Sequence, residues 1–156
     1  MFRLRDLSNL QMILKGVGVA DKPAMAIGGL QNGGLQFAKL ASKAGFKIVA
    51  VADEFSGVVD LGGNGGLKIP ELVKFRKLGK DFRELISDNT RKTKPDFLMK
   101  MEVDILVPEV SRGIINDLNA FDVRAKVVIQ TSRGLITKTA ARILEQKMIP
   151  IIALYL

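Results

Sequence analysis

The sequence predicts an α/β fold: a doubly wound, mostly parallel sheet with helices on both faces. Three observations carry this expectation. Short apolar, β-branched runs alternate with segments of helical periodicity. A glycine-rich stretch, "AIGGLQNGG" at 26–34, separates one such run from the helical segment after it. An acidic residue, Asp53, closes the next apolar run. The 156 residues suit a single domain, with a lead-in helix within 1–22 and a core over 23–156.

The elements are expected in this order. Residues 6–15 form a helix leading into the sheet. Arg3, Arg5, Asp6 and Lys15 interrupt its apolar residues, so it reads neither as a secretory leader nor as a membrane span. "PAMAIG" (23–28) is a buried strand. The helix of "NGGLQFAKLASKAG" (32–45) carries Leu35, Ala38, Leu40 and Ala41 on one stripe and stops at Gly45. "KIVAVAD" (47–53) has no alternation, as expected of a strand covered on both faces. The stretch 55–66 is a loop or short hairpin, and 69–80 is a helix with Pro70 in its first turn. Residues 87–95 read as the mobile loop, 97–101 as a helical end, and 103–108 as a strand. A short helix over 111–121, a strand over 125–130, a helix over 137–147 opened by Thr137 and a last strand over 149–156 complete five core strands.

Composition narrows the chemistry. The chain has no cysteine and no histidine. Thiol nucleophiles, disulfides, Cys-zinc sites, serine or cysteine triads and imidazole shuttles are thereby excluded, and no metal site is expected. Carboxylates, lysines, Tyr155 or a bound cofactor would have to carry any reaction. A cytoplasmic protein without a membrane partner is the expectation. The formal charge of +8 is concentrated in residues 71–100, where Lys74, Arg76, Lys77, Lys80, Arg83, Arg91, Lys92, Lys94 and Lys100 outnumber five acidic residues. A solvated helical surface accounts for this segment best. It has too few interleaved aromatics for base stacking, so nucleic acid is the least favoured partner.

The glycine-rich stretch carries the functional signal. A dinucleotide turn needs one glycine for the tight bend, a second for close approach of the pyrophosphate, and a third for helix-on-strand packing. An acid at the end of the second strand then binds ribose. Gly29 supplies the first glycine and Gly34 the third, while Asp53 follows 24 residues after Gly29. The middle position is Gln31, whose side chain is expected to project toward the pyrophosphate.

The segments "PAMAIGGLQNGGLQFAKLASKAGFKIVAVADEFSGVVD", "GLKIPELVKFRK", "MEVDILVPEV" and "AARILEQKMIPII" together resemble the carboxyl-terminal domain of the Glu/Leu/Phe/Val dehydrogenases, glutamate dehydrogenase being the nearest type. The resemblance covers about residues 5–156. It implies a Rossmann-like domain that binds NAD or NADP for the oxidative deamination of an amino acid. By this resemblance Gly29, Asn32 and Gly34 form the phosphate turn, Asp53 is the ribose acid, and Pro108 lies near the nicotinamide half. The family's departures cluster at the same place. Gln31 replaces the central glycine, Glu109 and Val110 replace two alanines after Pro108, and Arg133 in "QTSRG" replaces an asparagine. The family's catalytic lysine and aspartate belong to an amino-terminal substrate domain for which this chain has no room. No catalytic residue is therefore expected here, and the partners expected are a substrate-domain chain or a second copy. NAD is favoured over NADP, because Asp53 and Glu54 would repel a 2′-phosphate. The alternative is a fold kept as a scaffold, natural or designed, without cofactor binding.

Overall fold

A computed structural model describes residues 4–19, 22–62, 65–80 and 89–155. A seven-stranded sheet forms its centre. The strands are β1 (Ala24–Ile27), β2 (Lys47–Ala52), β3 (Gly57–Asp60), β4 (Thr90–Thr93), β5 (Ile105–Val107), β6 (Val127–Gln130) and β7 (Ile151–Ala153). They lie in the order β4-β3-β2-β1-β5-β6-β7. β2, β1, β5, β6 and β7 are mutually parallel, and β3 and β4 extend the β2 edge as antiparallel strands. The chain thus winds outward from β1 in one direction and from β5 in the other. Their carboxyl ends meet at the point where the order reverses.

The strand period of two sorts the core into two layers. Met25, Ile27, Ile48, Val51, Ile105, Val107, Val127 and Ile129 face one layer, filled by Leu7, Leu10 and Leu14 of α1 (Leu4–Gly16), Phe37 and Ala41 of α2 (Gly34–Lys43), and Leu72 of α3 (Ile69–Lys77). Ala26, Ala50, Ala52, Leu106 and Val128 face the other. There the sheet is covered by α4 (Lys138–Gln146), through Ala140, Ile143 and Leu144, and by two short 3-10 turns, Pro95–Lys100 and Ala120–Asp122. A bulge between Met25 and Ala26 shifts the β1–β2 register, so that Ala26 pairs with Ala50 while Met25 pairs with Ile48. This keeps small residues together on the second face.

The helix boundaries follow their chemistry. Thr137 caps α4, its hydroxyl oxygen accepting from the Ala140 N–H at 3.1 Å. Gly45 ends α2 in the left-handed region at φ +92°, with Phe46 N–H donating to Ala41 O and Gly45 N–H to Ser42 O. That is the pattern of a glycine-terminated helix.

Two expectations need correction. Thr90–Thr93, read as part of a mobile loop, pairs with β3 as the edge strand β4, while residues 81–88 lie outside the described ones. The "TRKT" run has no apolar pattern because it is an edge strand, where exposed charge hinders pairing with other chains. Residues 111–119 are turns rather than a helix. Asn116 Nδ2 donates to Gly113 O and Asn119 Nδ2 to Ile114 O, while the Asn119 Oδ1 accepts from Asn116 N–H. These side chains compete with helical backbone bonds.

At the amino end of the sheet, Asp104 ties three strands together. Its Oδ2 accepts from the Ala24 N–H at 2.8 Å, and Lys126 Nζ lies 2.9 Å from its Oδ1. Burial pushes the carboxyl up, but the Ala24 N–H and the Lys126 ammonium pull it down by more, leaving it below its ordinary 3.8. A depressed folded-state value stabilises the fold above the unfolded value, and this contribution is lost as pH falls through the folded one. Asp104→Ala should therefore cost about 1–3 kcal/mol in urea unfolding at neutral pH, by leaving the Ala24 N–H unpaired. The gap to wild type should narrow below the ordinary carboxylate range; a gap independent of pH would contradict this.

Candidate nucleotide site at the strand-order reversal

The turn after β1 is built on close backbone approach. Gly29 adopts φ +76°, and a Cβ there would lie 1.6 Å from the Glu109 carbonyl oxygen. A Cβ on Gly34 would lie 2.3 Å from Gly28 O and 2.7 Å from Gly29 O, so only glycine lets α2 begin directly on the turn. Gly28 is constrained as well, since its Cβ would meet Val110 Cγ2 at 2.5 Å. Leu30 N–H donates to Ala52 O at 3.1 Å, holding the turn against the end of β2 just before Asp53. Gly28 N–H donates to Val107 O at 2.7 Å, holding it against the end of β5 just before Pro108. The two tethers place Asp53 and Pro108 on opposite sides of the glycine turn.

Asp53 is 7% exposed, and its Oδ1 accepts from the Phe55 and Ser56 N–H groups at 2.8 and 2.9 Å. One oxygen thus caps the β2–β3 turn. Gln31 does not stand free over the turn, as the sequence suggests. Its Nε2 donates across the crevice to Val110 O at 3.1 Å, and its Oε1 is buried without a partner. Asn32 Nδ2 reaches the same loop, donating to Val110 O at 3.3 Å and Glu109 O at 3.4 Å. The two amides latch the β1 turn to the loop after β5.

Glu109 is the residue whose role the sequence does not reveal. Its carboxylate oxygens lie 3.1 and 3.3 Å from the Cβ position of Gly33, the residue that precedes α2. Its Oε2 accepts from the Thr131 hydroxyl at 2.6 Å, and Thr131 is only 8% exposed. The contact follows from the strand register: Leu106 pairs with Val128, and both Glu109 and Thr131 follow three residues later. No side chain caps the first turn of α2, and no acidic residue lies in it. A dinucleotide laid across such a reversal point rests its pyrophosphate on that helix end. The glycine turn has the backbone geometry such a group needs, and the Glu109 carboxylate stands beside the helix start.

Arg133 points elsewhere, its guanidinium 5.0 Å from the centre of the Tyr155 ring, whose hydroxyl accepts from Gln130 Nε2 at 3.3 Å. In the basic segment, Lys80 and Arg91 lie over the rings of Phe75 and Phe97 at 5.6 and 5.9 Å. Among the described residues no cluster of acidic side chains could hold a metal ion, and no helix is long and apolar enough to cross a membrane.

Residues 9–154 match the sequence profile of the glutamate/leucine/phenylalanine/valine dehydrogenases. The chain belongs to this family. It is 29% identical over 123 residues to the cryptic catabolic NAD-specific glutamate dehydrogenase of Bacillus subtilis, a match covering 79% of this chain and 27% of that protein. Among solved structures, the hetero-hexameric glutamate dehydrogenase of Thermus thermophilus superposes with a TM-score of 0.78 at 22% identity, over 95% of this chain and 34% of that one. Plasmodium falciparum glutamate dehydrogenase 2 gives 0.75 at 17% identity, over 95% and 34%. These likenesses show a Rossmann-like fold, and the chain spans about a third or less of each relative's length.

Gly34→Ala should cost about 2–3 kcal/mol, because the added methyl meets backbone oxygens that cannot move aside. Gly45→Ala, where a Cβ meets nothing within 4 Å, should cost only the about 1 kcal/mol of the left-handed backbone. Urea midpoints of the two variants compare the losses. Equal losses would mean that α2 does not rest on the turn.

Proposed function

We propose that this chain is a nucleotide-binding domain that holds NAD weakly at the β1/β5 reversal and is not catalytic by itself. One observation carries the reading: the Gly28–Gly34 turn sits where the strand order reverses, with Asp53 at the end of β2 on one side and Pro108 after β5 on the other. In this reading Gly29 and Gly34 shape the turn and Asn32 lies along it. Asp53 meets the adenine-side ribose with its remaining carboxylate oxygen, and Pro108 borders the nicotinamide half. Gln31 narrows the approach at the middle position.

NAD is preferred to NADP because Asp53 and Glu54 would repel a 2′-phosphate, and the Bacillus relative is described as NAD-specific. Hydride exchange with an amino acid needs a second, substrate-binding domain, in the same protein or in a partner. Assembly into an oligomer is consistent with the hexameric Thermus relative. The dissociation constant for NAD is set in the high micromolar range or weaker, since losing one close backbone contact forfeits about tenfold per 1.4 kcal/mol.

Thermal unfolding with several millimolar NAD tests the reading. At about ten times the dissociation constant, binding adds about 1.4 kcal/mol, a rise of roughly 3–5 °C, and NADP should do less. No shift with either would favour the alternative of a retained fold without cofactor.

A further inference from the structure

We infer that Glu109 is a tethered anion that occupies the place of the pyrophosphate, so that the chain blocks its own phosphate turn until this side chain swings away. The inference rests on the dinucleotide reading above and adds a residue-level reason for weak binding. Three observations converge on it. The carboxylate lies within 3.3 Å of the Cβ position of Gly33, at the start of α2, the end of a helix that attracts anions. No side chain caps the helix start and no acid lies in its first turn, while the Gly34 N–H donates to Gly29 O at 3.0 Å. The carboxylate and the main chain that carries it are both held by hydrogen bonds. The buried Thr131 hydroxyl donates to Oε2 at 2.6 Å, a short charge-assisted bond. Gln31 donates to the Val110 carbonyl, and Asn32 to those of Glu109 and Val110.

The consequence is competition between two anions for one place. A bound pyrophosphate must displace the carboxylate or lie beside it, and both like-charge repulsion and overlap oppose the second course. Ligands that carry a pyrophosphate should feel the block, whereas a nucleoside without phosphates should not. Thr131 acts through Glu109 as a positioning residue: without its hydroxyl the carboxylate loses its anchor but keeps its charge.

Calorimetric titration of wild type, Glu109→Ala and Thr131→Val with NAD, ADP-ribose and adenosine tests this. Circular dichroism first establishes that each variant is folded. Glu109→Ala should bind NAD and ADP-ribose at least tenfold more tightly than wild type, Thr131→Val several-fold more tightly, and adenosine should be unchanged in both. If wild type binds NAD and Glu109→Ala binds it no better, the tethered anion is overturned and the dinucleotide site stands. If adenosine gains as much as NAD, the substitution has loosened the crevice generally and the inference falls. If neither wild type nor Glu109→Ala binds NAD or ADP-ribose at several millimolar, both the inference and the dinucleotide reading are wrong.

Discussion

The carboxyl end of the sheet depends on one contact: the start of α2 lying directly against the carbonyls of Gly28 and Gly29. A Cβ on Gly34 would stand 2.3 Å from the first of these oxygens, so the helix reaches this position only because the residue has no side chain. From that contact follow the direction of α2, the burial of Phe37 and Ala41 against β1 and β2, and the exposure of the helix start to the crevice. The same geometry brings the loop after β5 against the turn, because Gly29 and Gly28 leave space that Glu109 and Val110 fill.

Most of the fold was legible because its parallel strands are buried on both faces and so appear as unbroken apolar runs. β1, β2, β5 and β6 fall within the expected segments, and Thr137 and Gly45 mark helix ends by their own chemistry. β4 was not legible. Its residues are polar, and its strand character comes from pairing with β3, a contact distant in sequence from anything local. The turns at 111–119 differ from the expected helix for another reason. Ile114 and Ile115 imitate an amphipathic helix, while Asn116 and Asn119 satisfy backbone groups that a helix would need.

At the site, the turn after β1 and the place of Asp53 at the end of β2 could be read from spacing, since each is a local property of the chain. Gln31, Glu109 and Thr131 could not, because their roles depend on which atoms meet across the crevice. Gln31 is a donor to the opposite loop, and its orphaned Oε1 is the cost of that latch. Glu109 stands out in sequence only as a charged residue directly after Pro108. Its place beside α2 emerges from the parallel register of β5 and β6, which carries Thr131 alongside it.

A dinucleotide bound as proposed would perturb the amides of the Gly28–Gly34 turn. Amide NMR of the isotopically labelled protein titrated with NAD reads that directly, because glycine resonances are well separated from the rest. Shifts are expected at Gly28, Gly29, Gly33, Gly34 and Asp53, together with Glu109 as its side chain is displaced. Unchanged spectra at several millimolar, or shifts confined to the basic residues of α3 such as Lys74 and Lys77, would contradict the proposed binding.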